Sequence, residues 1–394
     1  MMFKESLRYG RELFKAGLAS AFTASRLLDV VTRTRAALSG PRIHVLGYHR
    51  VVDALDPTDQ TSLINPALCI TTDSFRRQMV LARDRFQMLT LEEVVRALSG
   101  ELKLERDACA ITFDDGYRDV YARAAGVLAD LEIPATVFVP TGYAGSNQYL
   151  DHDRLYACFQ RAILEGRSLG GAQLPSPLLD AIHSATFVAR RDGAAAGGDW
   201  LIAALPAAAL HQIAGALEDF LGGPQPLDAG AHVLSPPEIH ALSTAGWEIG
   251  AHTIGHVVLT HEPLARLRKE LARPRQDIER WTGRPCRFFA YCNGFYSRAV
   301  IDEARRAGYL GAVTTLDHFN RQGSDPMRIS RKCLWEGHTR TPGGRYSSAL
   351  SVANLQDLFG DLGMTSPVDG EVAAHQPQGS ESAVSQPEVQ LCAT

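Results

Sequence analysis

Between residues 42 and 139 the chain reads strand, helix, strand, helix, strand, helix, strand, and this alternation constrains the fold more than any other feature. Strands joined by helical crossovers pair in parallel, because the helix carries the chain back to the end of the sheet from which it left. The strands are read at 42–51, 86–89, 108–111 and 133–139. The first helix starts at Thr72-Asp73-Ser74. The second starts behind Thr90, with Glu93 at capping-box spacing, and the third runs over 117–131. The pattern resumes at Ser235-Pro236-Pro237-Glu238, a helix start with early prolines and a capping-box glutamate. Strands follow at 247–251, 286–291, 311–315 and 327–331, with helices over 264–281, expected to kink or break at Pro274, and 297–307.

The remaining stretches do not fit the alternation. Residues 149–234 are rich in Ala, Gly and Leu, with amphipathic stretches at 155–164, 178–190 and 201–221 and no clear strand, and read as a mostly helical insertion. Residues 1–40 are basic and helix-friendly, with Lys4, Arg8, Arg11, Lys15, Arg26, Arg33 and Arg35. Their longest uncharged run, 16–25, is too poor in leucine for a good signal peptide, whereas a basic amphipathic helix suits peripheral contact with a membrane. Residues 365–394 have the composition of a disordered tail. The 394 residues suffice for one large barrel with insertions, and a net charge of −4 excludes a uniformly basic nucleic-acid binder. Seven cysteines without a CxxC pair fit free thiols in a reducing compartment.

In parallel α/β folds ligands collect at the C-terminal ends of strands. There the chain puts His49, Asp114, Asp115, His252, His256, Asn293 and Arg331. The apolar run Ala108-Cys109-Ala110-Ile111 leads to Asp114-Asp115-Gly116, a buried strand ending in two carboxylates and a turn residue. Paired acids in such a place need a cation or hydrogen bonds to offset their desolvation. His252-Thr253-Ile254-Gly255-His256 has the i,i+4 spacing that puts two imidazoles on one face of a helical turn. With one carboxylate they make an open metal site of two histidines and one acid, leaving the other acid to face substrate.

Thr112-Phe113-Asp114-Asp115-Gly116 and His252-Thr253-Ile254-Gly255-His256 resemble the first two motifs of the polysaccharide deacetylase family, the NodB-homology domain of carbohydrate esterase family 4. Val45-Leu46-Gly47-Tyr48-His49-Arg50-Val51 resembles the first strand of one branch, and Pro134-Ala135-Thr136-Val137-Phe138-Val139 and Gly246-Trp247-Glu248-Ile249-Gly250-Ala251-His252 resemble its strand phrases. Phe289-Ala290-Tyr291-Cys292-Asn293-Gly294 resembles its third motif, so the resemblance covers about 42–334 apart from the insertion. It implies a distorted (β/α)7 barrel over 41–340. It also implies a divalent metal, usually zinc, on Asp115, His252 and His256, with Asp114 as general base and the Asn293 backbone N–H at the oxyanion. The implied reaction removes N-acetyl groups from N-acetylhexosamine units of a polysaccharide, oligosaccharide or glycolipid precursor.

The departures are specific. The third motif of better-known members is Arg-Pro-Pro-Tyr, whereas this chain has Ala290-Tyr291-Cys292-Asn293, so the arginine that orients the base is missing there; Arg331 is the substitute expected from position. The family's catalytic histidine lies in a Leu-x-His motif after the last strand, and Leu316-Asp317-His318 comes before the last strand read here. His49 is the preferred general acid, with His338 a further candidate. Two other readings stand beside the deacetylase: an O-acetyl esterase or non-sugar amide hydrolase, and a sugar-binding module without turnover. The expected setting is cytoplasmic, with a glycan or glycolipid partner and membrane contact through the N-terminal helix.

Overall fold

The structure is a computed structural model that describes residues 2–25, 27–55 and 61–364; the tail expected at 365–394 lies outside the described residues. Among the described residues ten strands form: β1 (Ile43–Tyr48), β2 (Arg50–Val52), β3 (Cys69–Thr71), β4 (Gln87–Met88), β5 (Ala108–Phe113), β6 (Ala135–Val139), β7 (Glu248–Ala251), β8 (Phe288–Ala290), β9 (Gly311–Val313) and β10 (Lys332–Cys333). The main sheet runs β10-β1-β5-β6-β7-β8-β9, with β4 also beside β5, and all its pairings are parallel. Its two edges meet in one short segment. Ile329 bridges to Val313 of β9, and three residues later Lys332 and Cys333 pair with Leu46 and Gly47 of β1. The sheet therefore curls into a distorted (β/α) barrel whose seam is the stretch from Ile329 to Cys333.

The inward side chains explain the closure. Ala108 and Ala110 of β5 join Ile43, Val45, Phe138, Phe288, Ala290, Val313 and Ile329 in one buried cluster. Helix Leu91–Ser99 adds Leu91, Val94, Ala97 and Leu98 to that cluster and so plugs one end of the barrel. The Glu248 carboxylate, at the start of β7, accepts from the N–H groups of Leu91 (2.7 Å) and Glu92 (3.0 Å) at the plug's N-terminus. Alternate residues of β5, Cys109, Ile111 and Phe113, point outward into the helix-covered core. Asp114 continues the inward register of Ala108, Ala110 and Thr112, which sends its carboxylate toward the open end of the barrel.

The insertion is helical: Asp151–Leu164, Ser176–Asp192, Ala194–Ala204 and Ala207–Phe220 enclose a core of their own that includes Leu155, Phe159, Ile182, Leu201, Ile213 and Leu217. Gly197 allows its two middle helices to touch, since a Cβ there would lie 2.7 Å from Ala189 Cβ. The N-terminal helices Met2–Ala24 and Leu27–Ser39 precede the barrel, and Ala19 packs with Leu350, Val352, Leu358 and Phe359 near the other end of the described chain.

Four local readings need correction. The stretch 201–221 is two helices, because Pro206 cannot donate and caps the second. The helix Leu264–Thr282 runs through Pro274 unbroken, held by its buried face of Leu267, Leu271 and Ile278. The last strand is Lys332–Cys333 rather than 327–331, because Pro326–Arg328 form a helical turn and only Ile329 bridges to β9. Finally, β3 went unread; it is three residues long and pairs only with β2, away from the main sheet.

Candidate active site

Asp114 and Asp115 diverge because the backbone reverses between them. The Asp114 N–H still donates to Tyr48 O (2.9 Å), extending the sheet, whereas Asp115 and Gly116 take φ of +65° and +57°. Among the described residues, six non-glycine positions have positive φ, and Asp115, Thr253, His256 and Asn293 are four of them. Asp, His and Asn tolerate this region; a β-branched residue such as Thr253 resists it. Such clustering of unfavourable backbone is a mark of functional sites.

Asp114 meets Arg331, which is fully buried. The guanidinium donates to both carboxylate oxygens, Nη1 to Oδ1 at 2.8 Å and Nη2 to Oδ2 at 2.6 Å. It is held in turn by Thr314 O (Nε, 2.8 Å) and Thr112 Oγ1 (Nη1, 3.1 Å). Burial alone would raise the Asp114 carboxyl; the Arg331 charge and its paired hydrogen bonds outweigh burial and hold it below the usual range. Arg331 is delivered by the barrel seam, two residues after Ile329.

Asp115 meets the two histidines. Its Oδ1 lies 3.3 Å from His252 Nε2 and 3.1 Å from His256 Nε2. The HxxxH segment is not the helical turn that its spacing suggested. Thr253 and His256 take φ of +64° and +52°, and the Ile254 and Gly255 N–H groups donate to Glu270 Oε2 at 2.7 and 3.1 Å. Thr253 Oγ1 accepts from Val257 N (3.1 Å), closing the loop from inside. Two imidazoles thus converge through a strained, anchored loop rather than through helical periodicity.

The donor set fits a divalent ion. His252 Nδ1 is 2.8 Å from Ala290 O, an acceptor only, so Nδ1 carries the proton and Nε2 turns toward Asp115. Ligands bound tetrahedrally at zinc-like distances stand about 3.4 Å apart, close to the 3.1 and 3.3 Å separations here. Burial disfavours charge on both imidazoles, yet Cys292 and Asp115 outweigh it and hold both above the usual histidine range. Burial would raise Asp115, and His256 and His252 instead hold it well below its ordinary value. The cluster gathers positive charge around one buried carboxylate, which is the part a bound cation takes.

Asp114, Asp115, His252 and His256 line a cleft open to solvent, together with His49, Asn293 and Thr315. Gly294 must be glycine there: it has φ +73°, and a Cβ would fall 1.9 Å from Thr315 Oγ1. The insertion supplies the facing wall with His152, Asp153, Tyr156, Ala195, Gly198, Asp199 and Ile202. His318 lies elsewhere, beside His44, Asp317, Lys332 and Asp357, and His338 is outside the cleft lining, in the turn Glu336–Thr339.

Sequence reasoning missed His152, Asp153 and Tyr117. Tyr117 Oη donates to Asp153 Oδ2 (2.8 Å) and lies 2.7 Å from His152 Nε2, which is 3.5 Å from Asp115 Oδ2. Burial, with Asp115 among the lesser causes, pushes Asp153 up to about 7, and burial pushes His152 down to about 3. The one signal was an acid–histidine–acid run, Asp151-His152-Asp153, opening the first insertion helix.

The sequence model of the polysaccharide deacetylase family matches residues 102–177 and 194–312. A search of curated protein sequences finds no match. Among solved structures, the chain is similar to the Streptococcus pyogenes deacetylase PplD in complex with acetate, at 17% identity over 75% of this chain and 94% of that one, with a TM-score of 0.49. It is also similar to IcaB from Ammonifex degensii, at 19% identity over 80% and 97% of the two chains and a TM-score of 0.49. A de-N-acetylase from Aggregatibacter actinomycetemcomitans aligns at 15% identity over 76% and 97%, with a TM-score of 0.48. The two matched segments span Asp114, Asp115, His252, His256 and Asn293, and the chain belongs to the polysaccharide deacetylase family and is a hydrolase of carbon–nitrogen bonds other than peptide bonds.

Proposed function

We propose that the chain is a metal-dependent N-deacetylase acting on N-acetylhexosamine units of a glycan or glycolipid precursor and releasing acetate. One observation carries this reading: an ionised carboxylate clamped by Arg331 and a second one facing two histidines open into the same cleft. Asp115, His252 and His256 would hold the ion, and two imidazoles with one carboxylate suit zinc. When bound, such an ion supplies Lewis acidity toward the acyl oxygen and the attacking water. Asp114 takes the proton of that water, and Arg331 fixes the carboxylate and keeps it ionised. The Asn293 N–H, on the cleft wall, donates to the oxygen that gains charge. His49, where β1 ends at the same wall, gives a proton to the departing nitrogen.

Cys69, Cys109, Cys158, Cys286 and Cys292 are free thiols, in keeping with a reducing, cytoplasmic setting. The N-terminal helices expose Leu13, Phe14, Val30, Val31 and Leu38, a surface suited to peripheral contact with a membrane that carries a lipid-linked precursor. No described helix is long and apolar enough to cross a membrane.

The test is acetate release from N-acetylglucosamine oligomers. Chelation should abolish it and added zinc should restore it. Asp114→Asn should lower kcat/KM by roughly 10²- to 10⁴-fold while leaving metal affinity within a few-fold. Turnover of acetyl esters but not amides would replace the deacetylase with an esterase, and sugar binding without turnover would replace it with a binding module.

A further inference from the structure

His152 belongs to the insertion by sequence and to the barrel by contact. It lies in the first turn of helix Asp151–Leu164, yet its Nε2 stands 3.5 Å from Asp115 Oδ2 and its ring centroid is 4.8 Å from that of His256. Donor atoms of Asp115, His152 and His256 all fall within 4.8 Å of one another. His152 is also held differently from His252. The His252 ring is pinned from behind by Ala290 O at 2.8 Å. The buried Nδ1 of His152 has no hydrogen-bond partner, and its Nε2 rests against a second neighbour, Tyr117 Oη at 2.7 Å, itself tied to Asp153. Nε2 thus faces Asp115, Tyr117 and Asp153 (Oδ1 at 3.6 Å), while no hydrogen bond at Nδ1 fixes the ring toward any one of them.

We propose that His152 is an exchangeable fourth donor to the ion held by Asp115, His252 and His256, occupying the open position while the cleft lacks substrate and returning to Tyr117 when an acetamido group arrives. This rests on the metal-site reading above and goes beyond it. Three protein donors leave one tetrahedral position to water. A fourth imidazole in that position tightens metal retention in the resting enzyme and has to leave before the acyl group can approach. Because His152 rides on the wall of the cleft, glycan contacts on the insertion act on the metal site through it.

The test uses the full chain loaded with cobalt(II), whose visible absorption is strong when four-coordinate and weak at higher coordination, with affinity measured by chelator competition. The wild type should show the strong band, and acetate should weaken it. His152→Ala, with water in place of the imidazole, should shift that band and bind cobalt at least ten-fold more weakly; His152→Gln, which keeps the bulk, carries the same test where the alanine variant fails to fold. Tyr117→Phe, which removes the competing partner, should keep the band and make it less sensitive to acetate. A His152→Ala protein with wild-type spectrum and affinity within two-fold overturns the inference. If His256→Ala loses cobalt in the same experiment, the metal-site reading stands without it. A wild-type chain that takes up no cobalt overturns both.

Discussion

Asp114 keeps its charge because of a residue 217 positions away. A buried carboxylate stripped of its partner is strongly destabilising, so Arg331→Ala should lower unfolding free energy by roughly 3–5 kcal/mol and abolish acetate release. Arg331→Lys, which keeps the charge but loses the paired geometry, should fall between in both chemical denaturation and turnover. Asp153 has the opposite electrostatics. Its folded pKa of about 7 lies above the unfolded value, so the folded state keeps a proton that the unfolded chain releases. Stability contributed there is present at acid pH and is lost as pH rises toward 7. Urea unfolding of metal-free protein should therefore weaken by about 2 kcal/mol between pH 5 and pH 7, and Asp153→Asn should flatten that slope. At this scale Asp114, Asp115, His252 and His256 were legible because their motifs sit at strand ends. Arg331 was legible from position alone. His152 was not, since a histidine at the start of an insertion helix looks like any surface histidine until the tertiary fold turns it toward Asp115.

The elements position these residues by means that periodicity does not reveal. Most barrel strands could be read to within a residue or two, because long apolar runs bounded by turns leave few alternatives. The seam could not: Ile329 bridges one edge and Lys332–Cys333 pair with the other, so no single run of strand-like sequence marks it. The HxxxH loop misled for a related reason. Its i,i+4 spacing satisfies a helix, but its backbone obeys Glu270, which takes two consecutive N–H groups. Glu270→Ala should release that loop and lower metal affinity by roughly 10- to 100-fold, as loss of an outer support does. Isothermal titration with zinc checks this, and circular dichroism should show the barrel intact.

Across the whole molecule the site is a joint product of two cores. The barrel supplies one side of the cleft and the insertion, with its own apolar cluster, supplies the other. The composition of the insertion, mostly Ala, Gly and Leu, discloses helices but not which of them faces the cleft, because that depends on packing between distant segments. The N-terminal helix is packed through Ala19 and exposes Phe14. Phe14→Glu should therefore reduce co-sedimentation with anionic vesicles several-fold without shifting the thermal midpoint. The seam has a further consequence during synthesis. A ribosome delivers Asp114, His252, His256 and the whole insertion before it delivers Arg331. Until then the nascent barrel must bury Asp114 without a counter-charge, a penalty comparable with much of a domain's net stability. Competence and closure consequently arrive together, with the last strand, and a chain released before residue 331 carries every recognisable motif but no lasting enzyme.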